Sequence, residues 1–315
     1  MRAGGTRSGL LGLALLALLA LAACDLPPTQ PRTDASAAAQ PTPPDPSARS
    51  LALAAYYARV ESDLLSRGLL RTDGGGPDTP YTDTMLLRNF ERIVFYDEYA
   101  PGAGYSPSSG RAGGLRKWTG PIRMTVEFGT SVPREQQASD HRLVTDYAAR
   151  LARITRHPIS VSGVNPNFHV LFMGEDDRDA LPARIRQILP NIGESTLSIF
   201  RTMPRSIHCL VVAFSGGGDD HIYRRAIALI RTEHPPLLRQ SCVHEELAQG
   251  LGLADDSPQA RPSIFNDDDE FALLTTHDEI LLELLYHPEL KPGMTPDEAR
   301  PIVRRLLDAR TGGPV

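Results

Sequence analysis

The chain has 315 residues, 41% hydrophobic and 23% charged, which is apolar material enough for one large domain or two small ones. Its formal net charge is −5 with both signs interspersed, so it lacks the basic surface that binding to nucleic acid requires. Beyond the N-terminus no apolar run is long enough to span a bilayer.

The chain opens with Arg2 and Arg7, an unbroken apolar stretch from Leu10 to Leu21, and then Ala22, Ala23 and Cys24. A positive start, a short apolar segment and small residues before a cut describe a secretory signal over residues 1–23. Leu21-Ala22-Ala23-Cys24 resembles the bacterial lipobox, which implies lipidation of Cys24 and cleavage just before it. The alternative is an ordinary signal cut near Ala23 that leaves a free thiol. With the lipid, the expected product is a membrane-anchored lipoprotein of the cell envelope, facing the periplasm, held by more than one acyl chain.

Residues 24–48 are rich in Pro and Ala without apolar periodicity and read as a disordered tether. An accessory helical region over 49–114 follows, with a helix from Ala48 to about Leu69, the break Gly74-Gly75-Gly76-Pro77, a helix from Asp83 to about Tyr96, and a loop to Gly114. From 115 to 315 strands and helices alternate. Ile122–Phe128 alternates as a half-buried strand, Asp140–Thr155 is helical, and Ile159–Val161 and Phe168–Phe172 are strands. Asp177–Leu189 is a helix. Cys209–Phe214 is an apolar strand expected at the centre of the sheet, and Ile222–Ile230 a further strand or edge ribbon. Besides Cys24 the chain holds Cys209 and Cys242, expected to pair in an oxidising compartment, the alternative being two buried thiols.

Pro235-Pro236 opens a helix that runs to Gly252, read as its left-handed C-terminal residue. Its apolar residues lie on two faces, which makes it a buried helix and makes Glu245 and Gln249 unusual, because unpaired buried polar groups are costly. His244-Glu245 does not begin the zinc-protease motif H-E-x-x-H, since position 248 is Ala248. One residue further on, Glu245-Glu246-Leu247-Ala248-Gln249-Gly250-Leu251-Gly252-Leu253-Ala254-Asp255 resembles the metzincin pattern H-E-x-x-H-x-x-G-x-x-H or D. Pro262-Ser263-Ile264-Phe265 resembles the metzincin Met-turn with Phe265 in place of Met, and Thr276–Glu279 reads as a capping box before a final helix, Ile280–Tyr286. The resemblance implies an α/β (α+β), zincin-like mixed sheet with a central motif helix, Glu246 as general base, and Glu245, Gln249 and Asp255 as metal ligands. Residues four apart share a helix face, so Glu245 and Gln249 are placed to hold one ion. Three oxygen donors suit calcium, magnesium or manganese better than zinc.

Over roughly residues 115–300 the text also resembles a family of uncharacterised bacterial exported proteins, through Cys242–Leu253, Pro262–Asp267, Leu274–Asp278 and Tyr286-His287-Pro288. Three functions fit these residues. One is a divalent-metal-dependent hydrolase working through Glu246. Another is a degenerate zincin-like module that binds a peptide or envelope protein without catalysis, with Glu245 and Gln249 simply hydrogen-bonded. The third is a structural anchor of the cell envelope that needs neither; separately, Asn266–Glu270 reads as a solvated acidic loop rather than a calcium site.

Overall fold

The structure, a computed structural model, describes residues 43–99, 105–106, 108–216 and 218–311. The signal segment, Cys24 and most of the tether lie outside the described residues.

Helix α1 (Ala48–Ser66) starts at Ser47, whose hydroxyl accepts from the Ser50 amide, and α2 (Asp83–Phe95) starts in the same way at Thr82. Leu86, Phe90, Ile93 and Val94 recur at helical spacing on α2 and are all buried in the main core. Strand β1 (Ile122–Phe128) leads into α3 (Arg134–Thr155), followed by β2 (Ile159–Val161) and β3 (Phe168–Met173). A short 3-10 turn at Glu175–Asp177 precedes α4 (Leu181–Ile188) and α5 (Glu194–Arg201). The hairpin β4 (Cys209–Gly216) and β5 (Asp219–Arg231) then delivers the chain to α6 (Pro236–Gln249), α7 (Thr276–Leu285) and α8 (Pro296–Thr311).

The class is the expected mixed α/β. The five strands order as β2-β1-β3-β5-β4; β2, β1, β3 and β5 run parallel, and β4 pairs antiparallel with β5. Helices cover both faces. Phe168, Val170 and Phe172 of β3, with Ala226, Ala228 and Ile230 of β5, meet α2, α3, α6, α7 and α8 on one side. Leu171, Ile227 and Leu229 meet α4 and α5 on the other.

Two expectations about the hairpin are corrected. Strand β4 lies at the sheet edge and β5 inside it. The apolar run misleads because β4 is covered on both faces: Cys209, Val211 and Ala213 turn to the α6 side, and Leu210, Val212 and Phe214 to the α4–α5 side. Apolarity reports covered faces, not the number of neighbouring strands. Helix α3 begins at Arg134, six residues before the expected start, because its first turns are polar and largely exposed and carry no apolar period.

Cys209 and Cys242 form a disulfide with Cα atoms 5.8 Å apart, pinning the start of β4 to α6. Helix α6 is held along its length. The Glu61 carboxylate on α1 accepts from the Leu238 amide (2.9 Å), Arg239 pairs with buried Asp140 on α3 (2.9 Å), and Trp118 Nε1 donates to the Gly250 carbonyl (2.9 Å). The helix closes at Gln249 with Gly250 as its cap. Gly252 is therefore not the left-handed cap; its φ of 127° belongs to a region open to glycine alone, and a Cβ there would stand 2.6 Å from the Arg116 carbonyl oxygen.

Candidate acidic site on the motif helix

Glu245 and Glu246 are neighbours near the end of α6. One carboxylate oxygen of each lies within 4.8 Å of the other and of Cys209 Sγ. That sulfur is committed to the disulfide, so in the oxidised chain the carboxylates are the available donors. Glu245 is half-buried, while Glu246 is only 3% exposed and its Oε2 has no hydrogen-bond partner. Burial, then the charge of Glu98 and of Asp269 and Asp267, holds the Glu245 carboxyl far above the usual range. Burial, then Glu245, Glu98 and Asp256, raises Glu246 in the same direction.

Gln249, one turn after Glu245, and Tyr99 lie close enough to the Glu98 side chain to favour its charged form. Glu98 lies just past the end of α2 and is pushed upward mainly by burial. The turn after α6 presents two adjacent acids to different partners. Asp255, 2% exposed, ion-pairs with Arg92 at 2.8 Å, and Arg92 continues to the Asp256 carbonyl and over the Tyr96 ring. Asp256 faces the cluster instead: burial first, then Glu245 and Glu98, raises its carboxyl well above normal, and its Oδ1 is buried without a partner. Glu245, Glu246 and the Gln249–Glu98 pair thus come together with Asp256, while Asp255 is engaged by Arg92. Glu98 lies in an unpatterned loop, and Asp256 is the second member of an Asp-Asp pair in which the motif spacing selects the first.

The acidic loop 266–270 divides similarly. Asp267 and Asp269 act on Glu245, whereas Glu270 pairs with Arg71 (3.1 Å) and Arg261 (2.5 Å). His244 points away from the acids. Its Nδ1 accepts from the Leu274 amide (3.1 Å), its ring stacks on Tyr147, and burial, then Arg150, pushes it down to about 3, so it is neutral. His277 is fully buried against Asn89 (3.0 Å) as a helix-start residue.

The Pro262–Phe265 loop has Phe265 fully buried in the main core. Asp278 organises it, accepting from the Ser263 hydroxyl (2.5 Å), the Ile264 amide (3.1 Å), and the Thr275 amide and hydroxyl (3.1 and 2.8 Å). The capping box is accordingly Thr275 with Asp278, one residue earlier than expected, because Asp278 must serve the loop and the helix start together.

Chemically, the cluster gathers carboxylates from Glu98, Glu245, Glu246 and Asp256, with Asp267 and Asp269 near enough to raise Glu245. Such a group is relieved either by protons or by a cation with oxygen ligands. No curated protein and no solved structure matches the chain. A family model described as "Protein of unknown function (DUF2927)" matches residues 83–305, well over half of the chain. That span holds α2, the whole sheet, α6 and every acid of the site, and the chain belongs to the DUF2927 family.

Proposed function

We propose that the protein is a lipid-anchored envelope protein whose zincin-like domain binds an extended peptide beside a divalent-cation centre made of oxygen donors. The anchor rests on the signal segment and Cys24. The zincin likeness rests on the Glu245–Asp255 pattern together with an antiparallel edge strand, β4, tied to the motif helix. Among the described residues β4 pairs only with β5, so its outer edge offers main-chain groups to an added strand.

The observation that carries the cation is the buried Glu246 carboxylate, which has an unpartnered oxygen and lies beside a second carboxylate. Withdrawing an ionised carboxylate from water costs several kcal/mol unless an opposite charge compensates it. The nearby Arg92 is engaged with Asp255. Glu98, Glu245, Glu246 and Asp256 would hold the ion. An all-oxygen donor set suits calcium, manganese or magnesium, and without imidazole the site is a poor match for zinc hydrolysis. The cation would fix the carboxylates in their charged form and orient a peptide carbonyl beside β4.

Melting of the purified protein with each divalent ion tests this. Saturation at a hundredfold excess over Kd should stabilise the fold by about 2.7 kcal/mol, and fluorescent-peptide binding should disappear with a chelator. Glu246→Gln should abolish the melting shift. A shift that Glu246→Gln leaves intact, with loss of peptide turnover, would instead support the hydrolase reading. In that reading Glu246 is a general base and its free oxygen the proton acceptor. No shift with any divalent ion would overturn the cation centre.

A further inference from the structure

We propose that the Cys209–Cys242 disulfide gates a second metal site: once the bond is opened, Cys209 Sγ joins Glu245 and Glu246 as a ligand triad for a borderline transition metal such as zinc, iron(II) or cobalt(II). The three donor atoms already lie within 4.8 Å of one another, and small side-chain rotations bring them to the closer spacing of a shared ion. Glu246, only 3% exposed, offers one carboxylate oxygen to that space, and its Oε2 has no hydrogen-bond partner. The centre shares Glu245 and Glu246 with the oxygen-donor site but needs neither Glu98 nor Asp256. Adding a thiolate to two carboxylates moves the preference from hard ions towards borderline ones.

Both cysteines are buried, Cys209 at 8% exposure and Cys242 at 2%, and Cys209 is taken as the sulfur that is attacked. Cys242 Sγ lies 3.6 Å from the Nδ1 of buried His234. The reductant is a dithiol. Its first thiolate attacks Cys209 Sγ, the bond to Cys242 breaks, and the Cys242 sulfur leaves with the electron pair and takes up a proton. The second thiolate of the reagent then displaces Cys209 from the mixed disulfide. The reagent ends as its own disulfide and the protein as two thiols, a transfer of two electrons and two protons. On metal binding the Cys209 thiol gives up its proton to solvent, since the thiolate is the ligand.

The full chain carrying Cys242→Ser presents a free Cys209 without any reductant. Titration with cobalt(II) should produce the thiolate-to-cobalt charge-transfer absorption in this variant and in wild type reduced by dithiothreitol and then freed of the reagent by anaerobic desalting, and not in oxidised wild type. The Cys209→Ser/Cys242→Ser double variant retains Cys24 and supplies the baseline; it should lack the band. Zinc should bind Cys242→Ser at least tenfold more tightly than oxidised wild type, and adding Glu246→Gln to Cys242→Ser should remove that gain. A folded Cys242→Ser protein, by circular dichroism, without the band overturns the proposal. So does a band of equal strength in the double variant. If Cys242→Ser does not fold, reduced wild type that stays folded and shows no band overturns it equally. The calcium and manganese melting shifts of the oxidised protein, measured in parallel, report on the oxygen-donor centre separately.

Discussion

Raising the pH in the presence of a chelator should destabilise this protein, and a divalent cation should cancel the effect. Burial and mutual repulsion raise the Glu245 carboxyl to about 8 and move Glu246 and Asp256 in the same direction. An unfolded carboxylic acid titrates near 4, so above that pH the folded chain keeps protons that the unfolded chain has lost. Stability from these groups is full below about pH 4 and falls as the pH rises through the folded values. Buried bases have the opposite sign. His234 and His244 are buried and held neutral, which lowers stability mainly as the pH drops through about 6.5. Lys117, buried and lowered to about 8, begins to lose its proton in the folded chain within this window and offsets ~0.4 kcal/mol. Each retained proton is worth about 1.4 kcal/mol per pH unit. Glu245, half titrated by the end of the window, accounts for a loss of about 1 kcal/mol, and Glu246 and Asp256 add to it in the same direction. Urea unfolding at pH 7.0 and 8.0 (about one unit apart) measures it directly. With saturating calcium or manganese the slope should flatten, because the ion takes the place of the protons. Stability that stays level or rises over this interval in chelator would refute the picture of protonated buried acids.

The turn glycine should be intolerant: Gly252→Ala places a Cβ against the Arg116 carbonyl at a φ of 127°, costing about 2–3 kcal/mol in urea unfolding. Asp278→Ala removes the acceptor for the Ser263 hydroxyl, the Ile264 amide and Thr275, all buried, and should lower stability by roughly 2–4 kcal/mol, read as a drop in Tm. Cys24→Ser should block lipidation and leave uncleaved precursor on a gel; processing identical to wild type would remove the anchor.

Where the side-chain pattern repeats and one face is buried, the sequence is readable: Ile122–Phe128 and Ile159–Val161 are strands over the same residues in pattern and in structure. Elements with thin patterns are not. Helix α5 buries only Leu197 and Phe200, too few to show a period in eight residues. Helix α8 contains Pro301, which reads as a breaker although it removes only one bond near the start of a sixteen-residue helix. The disulfide is readable from the cysteine count and the expected compartment, which do not depend on pattern. The acids of the site are half legible. Glu245, Glu246 and Gln249 sit on a periodic helix, so their shared location can be read from spacing, whereas Glu98 comes from a loop near α2. Only the tertiary fold brings that loop to Gln249.

The choice between Asp255 and Asp256 is the point at which spacing and geometry part, and it yields a test with opposite signs. The motif register selects Asp255, but that side chain is paired with Arg92, whereas Asp256 stands among the glutamates with an unpartnered oxygen. Asn is a close mimic of a protonated Asp. Asp256→Asn therefore removes a group that resists ionisation, and in chelator at pH 8 it should stabilise the fold by about 1 kcal/mol relative to wild type. The same change should erase most of the calcium or manganese melting shift. Asp255→Asn breaks a buried charge pair; Arg92 is partly exposed and regains water, so the loss should be about 1–2 kcal/mol, with the cation shift retained. If the results exchange places, Asp255 abandons Arg92 when the ion binds. The ligands would then be those of the motif spacing, Glu245, Gln249 and Asp255, with Glu246 free to act as a base.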